Sequence, residues 1–268
     1  CAELSAQPLA SRLRITSKLV NRHILHTIPL SFKIDGAQVM GRPQGMKGTK
    51  LEVENLFITC FEQHLQDLVG AVEDAGIDVI DTMASPIAGS FVTVTKQQKM
   101  VGCVLANIGA ETVSIVVFEH GTPISLKVFP VGGNAVTNDI ALGLKISLDE
   151  AEQLKRGAII GATYPKKKLE DIVAARLSDI FELIEAQLKS LGRHGLLHAG
   201  IILTGGGSGT GSIEDIARST LKLPSRVGVI SREEKAQIKD STWAVAYGLT
   251  IWGMTGDDTT TPNEGVGD

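Results

Sequence analysis

The sequence is short of cysteine, of positive charge and of long apolar runs, and each shortage excludes something. Its three cysteines, Cys1, Cys60 and Cys103, form no spaced framework, which excludes a disulfide-stapled scaffold and predicts a reducing, cytoplasmic setting. Cys60 and Cys103 lie in apolar runs and read as small core residues. No stretch approaches the roughly 20 apolar residues of a membrane-spanning helix, and no signal-peptide pattern occurs. Lys and Arg number 26 against 30 Asp and Glu, a net charge of −4, which argues against nucleic acid as a partner because phosphate binding needs a concentrated basic face. The one basic run, Lys166-Lys167-Lys168, reads as a solvated helix start. A G-x-x-x-x-G-K-[ST] loop and a G-x-S-x-G nucleophile elbow are both missing. Cys60 and His64 are spaced for a shared metal, but no second pair follows, and ordinary packing is the better reading.

What is there is an ordinary soluble globular chain of 268 residues, 43% hydrophobic and 21% charged. Segment 23–34 reads as a strand, the Gly-rich 37–50 as a loop, and 51–59 as a second strand. Phe61, Leu65, Leu68, Val69 and Val72 recur at helical spacing, with Gly76 as the stop. A short strand is expected at 77–81, completing a small α+β unit over 1–83. Ser85-Pro86 opens a helix with Ile87, Phe91 and Val94 facing inward. Strands follow at about 101–107, 112–118 and 123–130. A helix runs from Gly133 to about Leu144, and Ser147 with Glu150 fits a capping box for the next. The longest helix covers about 168–191. It is followed by a strand at 199–204, a short helix at 212–221, a small strand at 226–230 and a last helix carrying Trp243, Leu249 and Trp252. Residues 101–240 thus form the main body and 241–256 a return helix. The Glu233–Lys235 run reads as solvated surface, and the polar residues 257–268 as a disordered tail without an interfacial apolar stripe.

The most informative feature is a strand–turn–strand at 101–118, VGCVLANIGAETVSIVVF, in which Asn107-Ile108-Gly109-Ala110-Glu111-Thr112 makes the turn. Glycine there lets backbone N–H groups approach a phosphate with no Cβ in the way. Thr112 adds a hydroxyl. Gly132-Gly133 at a helix start offers free N–H groups and a positive dipole end. Glu152 and Lys155 share one helix face. Segment 199–207, AGIILTGGG, ends a strand in Gly205-Gly206-Gly207, on which an adenosine could lie flat.

In this order these motifs resemble the actin/Hsp70/sugar-kinase superfamily, and residues 101–155 resemble its bacterial cell-division branch, the FtsA family. The resemblance covers about 20–256 and implies an α/β, actin-like fold, with 1–83 resembling part of that family's small extra subdomain (1C), 84–100 a remnant of the first actin-like subdomain, 101–240 the second actin-like half (2A/2B-like) and 241–256 a helix returning to the first subdomain. It further implies ATP and Mg2+ as ligands. Gly109, Ala110, Thr112, Gly132 and Gly133 would sit at the phosphates, Glu152 and Lys155 at ribose and base, and Gly205, Gly206 and Gly207 under the adenosine, with Asn107 reaching the metal through water. The family is cytoplasmic and peripheral at the inner face of the membrane, polymerises with itself, joins other divisome proteins at the septum and receives the FtsZ C-terminal tail.

Departures qualify this picture. Asn107 stands where the superfamily has an acid, so metal affinity should fall. Glu111 stands where the family has Gly and is expected to point into phosphate space and repel it. The family's opening phosphate loop and its C-terminal amphipathic anchor find no match, so a fragment is expected. The short 157–168 connection puts the tail-binding subdomain (2B) in doubt. A degenerate, nucleotide-independent interaction module, or a pilus-assembly protein like PilM, is the alternative.

Overall fold

The computed structural model describes residues 20–158, 164–232, 236–238 and 240–255. The expectations for the Glu233–Lys235 run and the 257–268 tail lie outside them. The chain divides into two compact units, one containing the described residues up to Ala84 and the other running Ser85–Trp252.

The first unit is an antiparallel ribbon. β1 (Arg22–Ile34) turns at Asp35-Gly36, where φ is 50° and 85°, the two-residue geometry that matches strand twist. Short β2 (Ala37–Val39) follows, inside the segment expected to be all loop. The Asp35 carboxylate accepts from the Lys50 backbone N–H at 2.8 Å and the Thr49 hydroxyl at 2.6 Å, which ties the glycine-rich loop down. β3 (Leu51–Phe61) pairs along β1, giving the order β2-β1-β3. Bulges at Ile24/His26 and Pro29/Ser31 accommodate Pro29, which cannot donate to a ladder. α1 (Glu62–Asp74) leaves directly from β3. The strand expected at 77–81 does not form; the segment has no ladder partner and Ile80 is 98% exposed. His26 accepts the backbone N–H of Ala84 at 3.0 Å.

The second unit opens with α2 (Ser85–Thr93) and α3 (Lys96–Val101). α3 was not expected; only its last residue, Val101, falls in the strand expected at about 101–107, which begins at Cys103 instead. Thr95 and Gln98 close a reciprocal capping box, and Gly102, at φ 95°, ends the helix. Then come β4 (Cys103–Ile108), β5 (Val113–Glu119) and β6 (Thr122–Phe129), with His120-Gly121 as the second tight turn. α4 (Gly133–Leu144), α5 (Leu148–Lys155) and α6 (Lys166–Ser190) follow. β7 (Ile201–Thr204), α7 (Ile213–Leu221), β8 (Ser225–Val227), the hairpin β9 (Ile230–Arg232) and β10 (Ala236–Ile238), and α8 (Ala244–Thr255) complete the described elements.

The sheet order is β6-β5-β4-β7-β8, with β4, β7 and β8 parallel and β5 and β6 antiparallel. β4 is buried nearly throughout because both faces are covered, the usual state of a strand in a parallel sheet. Val104, Ala106 and Ile108 join one core with Ile140 and Phe181; Cys103 and Leu105 join a second with Ile202 on the opposite face. Of the three residues expected to face inward, Val94 is buried and Ile87 half-buried, but Phe91 is 40% exposed, while Ala88 and Val92 of α2 are buried. The cause is a close crossing, since a Cβ on Gly248 of α8 would sit 1.9 Å from the Ala88 carbonyl oxygen.

Candidate functional site

Parallel strands β4 and β7 lie side by side, with Asn107 opposite Thr204 at their carboxyl ends. In open α/β sheets, ligands bind in the crevice beyond such strand ends. A cleft of about 390 Å3 lies within the second unit, walled by the β4–β5 turn, α4, α5 and the turn after β7.

The turn wall is built by backbone. The Gly109 N–H donates to the Thr112 carbonyl at 2.9 Å. The Gly109 and Ala110 carbonyls then accept the Gly133 and Asn134 N–H groups at 2.9 and 2.7 Å. The hairpin thereby caps α4, and two of the four amides a helix start leaves open are already engaged. This corrects the expectation of a free N–H at Gly133. Gly132 is required by proximity instead: a Cβ there would lie 2.6 Å from the Ala110 carbonyl oxygen and 2.7 Å from that of Gly109. Glu111 does not aim into the cleft. It is exposed, and its Oε1 accepts from Asn134 Nδ2 at 3.3 Å.

On the far wall Glu152, Lys155 and Thr137 close a network. Lys155 Nζ donates to Glu152 Oε2 at 2.6 Å, Thr137 Oγ1 at 2.8 Å and the Gly133 carbonyl at 3.2 Å. Thr137 Oγ1 also donates to Glu152 Oε2 at 2.6 Å, and Arg156 Nε reaches Glu152 Oε1 at 2.7 Å. Burial works against the charged Glu152, but the hydrogen bonds from Lys155, Thr137 and Arg156 outweigh it and hold the carboxyl at about 2.

The floor is glycine. Gly205 has φ 85° and donates to the Ser241 carbonyl at 3.2 Å. A Cβ there would lie 2.4 Å from Asn107 Oδ1, and one on Gly207 2.4 Å from Ile108 Cγ2. Ser208 and Ser241 hydroxyls, 2.8 Å apart, pin this turn to the start of α8.

Of the residues singled out from the sequence, Gly109, Ala110, Gly133, Glu152, Lys155, Gly206 and Gly207 line the cleft; Asn107, Thr112, Gly132 and Gly205 do not. Asn134, Arg156, Gly209, Thr210 and Thr242 line it unanticipated. Arg156 and Thr210 each adjoin a recognised motif, which was the available signal. The fit to a nucleotide is good for its organic part: glycine backbone, one cation with open donors and one carboxylate. The fit to Mg2+ is poor. No cluster of three His, Cys, Asp or Glu occurs among the described residues, and the one acid in the lining is already bound by three donors.

The model of the family described as Cell division protein FtsA matches residues 104–248, and that of the SHS2 domain inserted in FTSA matches residues 8–59. The chain is 32% identical over 225 residues to the Cell division protein FtsA of Bacillus subtilis (strain 168), covering 76% of this chain and 51% of that relative; it thus spans about half the relative's length. Among solved structures, the PilM-PilN type IV pilus biogenesis complex superposes with a TM-score of 0.67 at 18% identity, over 87% of this chain and 67% of that one. MreB5 of Spiroplasma citri bound to ADP superposes with a TM-score of 0.60 at 16% identity, over 73% of this chain and 66% of that one. At those identities the likeness establishes the actin-like fold alone.

Proposed function

The chain belongs to the FtsA cell-division protein family, and from that premise we propose that it binds ATP in the cleft between the β4–β5 turn and the Gly205–Gly207 turn, as part of a nucleotide-gated scaffold. The observation that carries this reading is the double glycine approach: Gly132 against the hairpin and Gly205 and Gly207 against Asn107 and Ile108. These contacts bring backbone, rather than side chains, to the crevice beyond β4 and β7. An MreB of the same fold with bound ADP supports the ligand class. Gly109 and Ala110 would face phosphate, and Gly206 and Gly207 would lie beneath the base. Glu152 would face the sugar. Any Mg2+ would be held mainly by the phosphates, with Asn107 at most a weak partner through water. The cleft supplies no free carboxylate to act as a base, so binding without appreciable turnover is the expected behaviour. The intact protein would polymerise, sit peripherally at the inner face of the membrane, join other divisome proteins and tether FtsZ at the septum through the FtsZ C-terminal tail.

One observation favours a nucleotide-independent interaction module instead: the Glu152–Lys155–Thr137 network is closed and two α4 amides are already engaged. Thermal melting separates the two. ATP with Mg2+ is titrated into the chain and into Asn107→Asp. A ligand present at about 100 times its Kd stabilises by about 2.7 kcal/mol. The ATP reading expects both to shift, with the Asp form shifting further only when Mg2+ is present. No shift in either at millimolar ATP refutes it. Cosedimentation with FtsZ polymers, with and without the FtsZ tail, tests the tether.

A further inference from the structure

The segment that leads out of the first unit is tied to β1 by one side chain. Residues 78–84 join no ladder, and Ile80 is 98% exposed. The Thr82 N–H turns to the neighbouring Asp81 carboxylate at 2.6 Å. The Ala84 N–H donates to His26 Nε2 at 3.0 Å. Among the described residues this is the one hydrogen bond between the segment and β1. Ala84 is only 8% exposed, so its N–H finds little water if that acceptor is lost.

An Nε2 that accepts a hydrogen bond carries no proton, so the neutral ring holds its proton on Nδ1. Protonation places a hydrogen on Nε2 and sets donor against donor at the Ala84 N–H. Of the two acids in 78–84, Asp78 and Asp81, it is Asp81 whose charge acts on the ring and favours the imidazolium. The groups of the neighbouring elements face elsewhere. β3 sets Ile58 opposite His26 and Cys60 opposite His23, His23 pairs with Glu62 of α1 at 3.3 Å, and Arg22 lies over the Phe61 ring. We propose that His26 is an acid-operated clasp: neutral, it fastens the segment 78–84 to β1 through Ala84; protonated, it lets Ala84 go and turns to Asp81. Burial is the larger influence on the ring and holds its pKa below the ordinary value of 6.5, against the opposing pull of Asp81. The clasp is therefore fully shut above pH 6.5 and is lost as pH falls through the lowered folded value. It acts within the first unit and is independent of what occupies the cleft.

The test is NMR of the 268-residue chain between about pH 8 and about pH 5, the span in which histidine changes charge. Imidazole shifts follow the His26 proton. Exchange of the Ala84 amide, corrected for the intrinsic pH dependence of exchange, follows the clasp. Protection at Ala84 should fall about five- to tenfold, the worth of one hydrogen bond, with the midpoint of the His26 ring, while the β4 amides keep theirs. His26→Gln retains a side-chain acceptor at every pH and should keep Ala84 protected throughout. Asp81→Asn should move the midpoint to lower pH; an unmoved midpoint removes Asp81 as the second partner. Ala84 protection that ignores the His26 titration, that falls equally in His26→Gln, or that falls only together with β4 overturns the clasp.

Discussion

Substituting the two adjacent glycines at the head of α4 should have opposite consequences, although they look interchangeable in the sequence. A Cβ on Gly132 would stand 2.6 Å from the Ala110 carbonyl oxygen, 2.7 Å from its carbon and 2.7 Å from the Gly109 carbonyl oxygen. All three are backbone atoms, so no side chain can swing aside. The Gly132→Ala variant must push the β4–β5 hairpin off the helix, stretching the Gly133 to Gly109 and Asn134 to Ala110 hydrogen bonds of 2.9 and 2.7 Å. Two such bonds are worth about 1 kcal/mol each, and overpacking a fixed backbone adds about 1–3 kcal/mol. The expected loss is about 3–5 kcal/mol, or roughly 6–20 °C in Tm for a unit of this size. A Cβ on Gly133 meets the Gly109 oxygen at 3.5 Å and Lys155 Nζ at 3.6 Å, ordinary contacts, and alanine in a helix is favoured over glycine by up to about 1 kcal/mol. Gly133→Ala should therefore be neutral or slightly stabilising. Urea and thermal denaturation of the pair decide it. Equal effects, or a Gly132→Ala protein as stable as the parent, would refute the idea that carbonyl capping by the hairpin sets the position of α4.

Three further expectations come from the same geometry. The folded-state pKa of Glu152, about 2, lies below its unfolded value, so its stabilisation is complete above about pH 4.5 and is lost as pH falls toward 2; Glu152→Gln should flatten the stability curve in that window and leave its slope near neutrality unchanged. Thr137→Val keeps the volume but removes the hydroxyl that joins Lys155 to Glu152, and should cost about 1–3 kcal/mol. It should also raise the Glu152 carboxyl pKa measured by NMR titration, while Thr137→Ser preserves both. Burial pushes the Cys103 thiol up to about 12 against the pull of Lys99 and Arg226, so thiol reagents at pH 8 should label half-buried Cys60 in the native chain and Cys103 only after unfolding; fast native labelling of Cys103 would contradict its burial.

How much of this was legible in the sequence depended on whether the signal was local. α4 begins at Gly133 and ends at Leu144 as read, and Ser147 caps α5 by accepting from the Glu150 N–H. The other half of the expected capping box is replaced, because the Glu150 carboxylate accepts from the Tyr164 hydroxyl, a partner no window around residue 147 contains. The Thr95–Gln98 box of α3 was present and local, and went unread. Phe91 on α2 was misread because a large residue was assumed to face inward. The inward face of α2 is made of small ones, and that is legible only once Gly248 is known to cross at Ala88. Glu152 and Lys155 were recognisable as a pair, but Lys155 is saturated by Thr137 and Gly133, which lie 18 and 22 residues earlier. The open donor is its unremarked neighbour Arg156.

α4 explains why the cleft can exist before any ligand enters it. Its first turn is capped by the hairpin carbonyls. Its second turn places Thr137 between Lys155 and Glu152. One face further along, Asp139 accepts from Arg176 of α6 at 2.6 and 3.2 Å, the two-pronged geometry that resists rotation. A helix fixed at three points to a hairpin, to α5 and to α6 cannot adjust cheaply, so the walls meet a ligand already ordered and lose little entropy on binding. The same rigidity has a chemical consequence. Groups that a phosphoryl-transfer site would direct at its substrate are here already bonded, the first α4 amides to hairpin carbonyls and the Glu152 carboxylate to Lys155, Thr137 and Arg156. On the proposed reading, a preformed cleft whose Lys155 and Glu152 are already paired would hold a nucleotide better than it would attack one.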